Sequence, residues 1–229
     1  MDNLYQIAKQ IGFTPRYVME VGAAHPDTAQ MREFALAGIP TILVEANPRL
    51  YHCLVNGFDK GNFEDSWPNP PQGPYAYPGF GGLNNVTIHH AAVVENSGPV
   101  QMFECNASSF VAGTQSPIKV NNGFVESDST DGIKSIIKGF PYGGKAHTTV
   151  RGATIDEFDN GLVDILAVDT EGCEYWALDR LVSRPRLICL ETHGGQYVNP
   201  LIDRIIAWMQ TNNYGVAAQT ESDTLFARL

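Results

Sequence analysis

A mostly parallel α/β sheet with an antiparallel last strand, helices on both faces and two loop insertions is the fold that this sequence predicts. Three observations carry it. Short apolar, β-branched runs at 17–21, 41–44, 86–93, 163–168 and 186–190 are separated by stretches of helical spacing or irregular composition. Strand followed by helix followed by strand is the signature of right-handed parallel crossovers. The chain then closes with runs at 214–218 and 224–227 around the Glu221-Ser222-Asp223 turn, a hairpin that makes the last strand antiparallel.

In chain order, residues 2–11 read as an amphipathic helix, with Asp2 as cap, an apolar stripe at Leu4, Ile7, Ala8 and Ile11, and Gly12 as its end. The strand 17–21 stops at Gly22. Asp27 or Thr28 then caps a helix with Met31, Phe34 and Ala35 inward, ending at Gly38. Pro40 opens the strand 41–44, which stops at Glu45, and Pro48 opens a helix over 49–55. About 59–85 the pattern lapses into prolines, glycines and aromatics, an insertion expected to pack on the domain as a lid or an oligomer contact.

The strand 86–93 carries His89 and His90. Neighbours in a strand face opposite ways and cannot share a metal, so both read as structural. A short strand at 100–105 precedes a second insertion, about 106–147, in the position where such folds carry a substrate-facing cap. A strand near 148–154 leads to a short helix capped by Thr154. The strand 163–168 ends at Asp169, and Thr170-Glu171-Gly172 opens a helix through Leu181. The last core strand, 186–190, ends in Glu191-Thr192-His193, and Asn199-Pro200 starts a helix with Leu201, Ile202, Ile205, Ile206, Trp208 and Met209 at helical spacing.

The bulk numbers narrow the function. The 229 residues suffice for one domain, 1–229, with a sizeable core. A net charge of −10 and the absence of any basic stripe argue against a nucleic-acid partner. No apolar run reaches membrane-spanning length and the start of the chain lacks a signal pattern, so no membrane association and a cytoplasmic location are expected. Cys53, Cys105, Cys173 and Cys189 form no C-x-x-C pair, which speaks against structural zinc.

Ligands of a parallel sheet bind at the carboxyl ends of its strands. There stand Glu20 and Gly22, Glu45 and Asn47, Ala92, Asp169 and Glu171, Glu191 and His193. Gly22 lets a ligand approach the backbone, and Glu45, 23 residues on, suits a ribose diol. The first loop, Gly22-Ala23-Ala24-His25-Pro26-Asp27, lacks the later glycines of a pyrophosphate loop, and Asp27 repels phosphate. A phosphate-free nucleoside bearing positive charge fits this acidic mouth, and S-adenosylmethionine is one. Two other readings stay open: a nicotinamide-dependent oxidoreductase, which the missing glycines oppose, and a non-catalytic nucleoside-binding module.

Several runs together resemble the FkbM-type methyltransferases: Glu20-Val21-Gly22-Ala23, Val44-Glu45-Ala46-Asn47-Pro48, Ala91-Ala92-Val93, Ser108-Ser109, Thr154-Ile155-Asp156, Val168-Asp169-Thr170-Glu171-Gly172-Cys173-Glu174 and Leu190-Glu191-Thr192-His193. The likeness covers roughly residues 17–228 apart from the first insertion, and the D-x-E-G-x-E run is its most specific part. The first loop departs from the family pattern, which has Asn and a later Gly where Ala24 and Pro26 stand. The resemblance implies a class I, Rossmann-like, S-adenosylmethionine-dependent methyltransferase, acting on a hydroxyl of a sugar, polyketide or other small-molecule acceptor. It also implies that Glu20, Gly22 and Ala23 line the methionine end, that Glu45 holds the ribose, that Ala46, Asn47 and Ala92 flank the adenosine, and that Asp169 lies near the amino group or sulfonium. For the acceptor's proton His193 is the first candidate base, oriented by Glu191, and Asp169 the second. Asp169, Glu191 and His193 are equally a candidate set for a divalent metal. The sequence leaves the acceptor and the oligomeric state open.

Overall fold

The computed structural model describes residues 3–59, 63–65, 75–77, 83–104, 109–114 and 145–229. Most of both predicted insertions, with Asp2, Cys105 and Ser108, lies outside the described residues.

The first half of the chain builds α1 (Leu4–Gln10), β1 (Tyr17–Val21), α2 (Arg32–Leu36), β2 (Thr41–Glu45), α3 (Pro48–Asp59), β3 (Phe63–Asp65), β4 (Tyr75–Tyr77), β5 (Val86–His90), β6 (Ala92–Val93), β7 (Gly98–Glu104) and β8 (Phe110–Val111). The second half builds β9 (Lys145–Ala153), a 3-10 turn (Ile155–Glu157), β10 (Val163–Val168), α4 (Trp176–Asp179), β11 (Leu187–Glu191), β12 (His193–Gly194), β13 (Tyr197–Val198), α5 (Ile202–Thr211), β14 (Tyr214–Gln219) and β15 (Asp223–Arg228).

Seven strands form the main sheet in the order β14-β15-β11-β10-β1-β2-β5. The five from β11 to β5 are parallel, whereas β15 pairs antiparallel with both β11 and β14. Alternate strand residues feed two cores, as the period of two demands. Met19, Val21, Ile42, Val44, Leu166, Val168, Ile188 and Leu190 meet Ile155, Phe158, Ala177, Leu178, Ile205 and Met209 on one face. Val18, Leu43, Ile165, Ala167, Leu187 and Cys189 meet Leu4, Ala8, Met31, Phe34, Leu54 and Phe58 on the other. Helices therefore cover both faces, and the strands read as continuous apolar runs because neither face sees water.

Four expectations change. The 86–93 run is two strands: at Ala91 the chain leaves the main sheet, and β6 joins a second sheet ordered β6-β9-β7-β8. The first helix is capped by Asn3, whose Oδ1 accepts the Gln6 N–H at 2.9 Å. The helix after β1 shrinks to five residues with no side-chain cap of its own. The helix expected from Asp169 to Leu181 is only α4, because 169–175 form an ordered loop instead. His89 and His90 do face opposite sides, one against Phe158 and the other stacked on Tyr51. Among the described residues no helix is long and apolar enough to cross a membrane.

Candidate functional site

At the carboxyl ends of β1, β2 and β10 the sheet opens into a crevice of about 470 Å³, counting the space at its mouth. Its main-sheet wall is Val21, Gly22, Glu45, Ala46, Asp169 and Thr170. The second sheet supplies the facing wall through Ala92, Val93, Met102 and Val111, with Ser109 beside them. No lysine or arginine is among these described lining residues.

Glu45 is 5% exposed and is held at both ends of its carboxylate. Oε2 accepts the Ala24 N–H at 2.9 Å and Oε1 accepts the Asn47 N–H at 2.7 Å. One side chain thus ties the loop after β1 to the loop after β2. Burial pushes its proton affinity up, and the backbone N–H groups of Asn47, Ala24 and Ala46 pull it back. A carboxylate has about four acceptor positions, so two hydrogen bonds leave room for a diol. Asn47 is fully buried and donates from Nδ2 to Ser109 Oγ at 2.9 Å, which fastens the residue before β8 to the loop after β2.

Glu20 has another task. Its parity in β1 turns it to the face of the sheet that α2 covers. There Oε1 and Oε2 accept the N–H groups of Gln30 and Met31, each at 2.9 Å. A strand carboxylate thus caps the short helix in place of Asp27 or Thr28. Ala23, 1% exposed, packs into the same core beside Met31 and Phe34. Neither residue is among the described lining of the crevice.

The loop after β10 is organised from beneath by Glu174, which is fully buried. Its Oε1 accepts the N–H groups of Thr170 and Gly172 and the Thr170 hydroxyl, all at 3.0 Å. Its Oε2 accepts from the Asn199 amide. This anchoring, with Glu171 at φ 56° and Gly172 at φ 110°, replaces the expected helix by a loop that turns acids toward β11. Carboxylate oxygens of Asp169, Glu171 and Glu191 come within 4.8 Å of one another. Asp169 keeps an exposed side chain at the crevice mouth. Even so, desolvation and the charges of Glu174, Asp223 and Glu45 raise its proton affinity. Glu191 is raised as well, by burial first and then by Asp169 and Glu171.

His193 stands apart from this group. Its Nε2 donates to the Thr220 carbonyl at 3.0 Å and its Nδ1 meets the Thr192 hydroxyl at 2.7 Å. Nε2 is engaged by the turn before β15 and Nδ1 by the neighbouring Thr192, and the ring is not among the described lining of the crevice. The structure therefore brings together Gly22, Glu45, Ala46, Ala92 and Asp169, with Asn47 just behind them. It groups Glu191 with Asp169 and Glu171, and leaves Glu20, Ala23 and His193 in packing or capping positions. Sequence reasoning missed Met102 and Val111 as lining and Glu174 as the loop's anchor. The last acid of the D-x-E-G-x-E run was the available signal for Glu174.

A crevice at the carboxyl ends of a parallel sheet, walled by an acid and small apolar side chains, is the place where an α/β protein of this topology binds its ligand. The family follows from comparison: the model of the methyltransferase FkbM domain matches residues 20–216, and the chain belongs to that family. No curated protein and no solved structure matches the chain.

Proposed function

We propose that the chain is a class I, Rossmann-like methyltransferase that uses S-adenosylmethionine to methylate a hydroxyl of a small molecule, the whole chain acting as one domain. The observation that carries this reading is the position of Glu45. A buried carboxylate, preset by two backbone donors, lines a crevice whose other wall is apolar and slim. That donor set fits adenosine: acid for the ribose diol, Ala91, Ala92, Val93, Met102 and Val111 for a flat base, and Gly22 for close backbone approach. The lack of lysine and arginine in the described lining suits a nucleoside without phosphates.

When bound, S-adenosylmethionine supplies a methyl group on a sulfonium centre. The protein's share is position and charge. Glu45 and the small residues around Ala92 fix the nucleoside, and the Asn47–Ser109 hydrogen bond keeps the two walls in register. Asp169, at the mouth, offers negative charge to the cationic end and an acceptor for the hydrogen of an incoming hydroxyl. Holding the reacting atoms in line, away from water, provides much of the rate in such a displacement.

The experiment is calorimetry with S-adenosylmethionine and its demethylated product. Binding of both is expected, and Glu45→Ala should weaken it by about 1–3 kcal/mol by leaving the ribose hydroxyls without their acceptor. Wild-type affinity in that variant would overturn the ribose assignment. Absence of any binding would overturn the function.

A further inference from the structure

We propose that Asp169, Glu171 and Glu191 hold a hard divalent cation at the mouth of the crevice. Three observations support it. The first is geometric: the three carboxylates each place an oxygen within 4.8 Å of the others. Oxygens sharing one cation at ~2.1–2.4 Å stand at most ~4.2–4.8 Å apart, so the trio needs little adjustment to close on an ion. The second is Glu191 itself. Its Oε2 is shut away from solvent and has no hydrogen-bond partner among the described residues. A buried carboxylate oxygen beside two further acids calls for a positive charge.

The third observation is independent of the acids. Tyr197 is 1% exposed, and its hydroxyl also has no hydrogen-bond partner among the described residues. It stands on β13 of the β12–β13 hairpin, and the acids whose charges bear on it are Glu174, Glu191 and Glu171. A buried hydroxyl is seldom left without a partner. A water on the ion, or the second oxygen of a ligating carboxylate, would supply one. The elements agree: Asp169 follows β10, Glu191 ends β11, and these strands are adjacent and parallel. Glu171 is brought between them by the loop that Glu174 anchors.

An all-oxygen set selects magnesium, manganese or calcium over softer metals. Three protein ligands leave positions open toward the crevice mouth, and one ligating oxygen per carboxylate leaves the second oxygen of Asp169 for the acceptor. If the methyl-transfer reading holds, on which this consequence rests, the acceptor is a chelating one, a vicinal diol or a hydroxy-carbonyl compound. The ion site itself does not depend on that reading.

The test uses the full chain, treated with a chelator and dialysed, with Mn²⁺ alone and no nucleoside. Electron paramagnetic resonance of free Mn²⁺ and calorimetry should give one ion per chain. Glu171→Gln and Glu191→Gln should each weaken binding at least ~10-fold, and Tyr197→Phe about 10-fold, as partners of ligands do. Glu33→Gln, on the exposed side of α2, should change nothing. Melting in the presence of chelator checks that each variant folds. Tyr197→Phe is the safest of them, since its hydroxyl makes no hydrogen bond among the described residues that could be lost. Should the glutamine variants fail to fold, Tb³⁺ provides the second readout: luminescence excited through tyrosine should appear in the wild type and fall in Tyr197→Phe. No Mn²⁺ bound at millimolar concentration, affinity unchanged in a folded Glu171→Gln/Glu191→Gln variant, or Tb³⁺ luminescence indifferent to Tyr197→Phe would each overturn the site.

Discussion

Gly22 lies so close to the Asp169 backbone that a β-carbon there would sit 1.7 Å from the Asp169 carbonyl oxygen. Its φ of +82° is also one that L side chains avoid. The two residues that open the crevice, one after β1 and one after β10, are therefore spaced by the absence of a side chain. Gly22→Ala must push these strand ends apart and twist the backbone at once. We expect a loss of at least ~2 kcal/mol in stability by urea denaturation. Nucleoside binding by calorimetry should fall too, because Asp169 moves with its carbonyl.

Two residues later the backbone is left-handed again, now at an alanine: Ala24 has φ 52°. For an L residue with a β-carbon that conformation costs about 1–2 kcal/mol, and glycine adopts it freely. Part of the gain is offset by the greater freedom of a glycine in the unfolded chain. Ala24→Gly should therefore stabilise the protein by roughly 0.5–1 kcal/mol, measured by urea denaturation. The Ala24 N–H bond to Glu45 survives this change, so affinity for the nucleoside should stay the same or improve.

Glu20 and Glu45 look alike in the sequence, each at or near the end of a core strand, yet they do different things. Glu20 serves the N–H groups of Gln30 and Met31 and faces the helix core. Glu45 serves the crevice loops. Glu20→Ala should cost about 2–4 kcal/mol of stability, since it orphans two donors, one of them buried. The folded fraction should still bind the nucleoside within a few-fold of wild type. If calorimetry instead found binding lost while stability held, the two roles assigned here would be reversed.

Much of the sheet was legible because both its faces are buried. The apolar runs at 17–21, 41–44 and 163–168 mark strands almost to the residue, and the terminal hairpin follows from its turn. The helices after β1 and β10 were overread for a shared physical reason. Asp27, Thr28 and Asp169 are good caps in isolation, but other carboxylates claim the backbone N–H groups first: Glu20, from the preceding strand, and Glu174, from within the loop itself. The Glu20 bonds, which cross from a strand to the helix that follows it, leave no trace in local spacing. His193 shows the same limit. Its place at a strand's carboxyl end was readable, but its engagement by Thr220, 27 residues later, was not. The second sheet was missed because Ala91, a small buried residue, is where β5 gives way to β6, and no proline or glycine marks that switch.

The burial of Glu20 has a consequence for pH. Desolvation, opposed by the Gln30 and Met31 N–H groups and aided by the charges of Asp169 and Glu45, lifts its pKa from 4.5 to about 8. Between these values the folded chain keeps a proton that the unfolded chain has released, so the folded state binds more protons and acid favours it. The contribution is fully present below the unfolded pKa near 4.5 and is lost as pH rises through about 8. Glu45, raised in the same direction by burial, adds to the trend. With a chelator present, thermal melts should give a Tm several degrees higher at about pH 6 than at about pH 8.5. Glu20→Gln, which cannot titrate and keeps an acceptor oxygen for one of the two N–H groups, should flatten that dependence. A wild-type Tm that instead climbs from about pH 6 to 8.5 would mean that Glu20 folds ionised, its two backbone donors outweighing its burial.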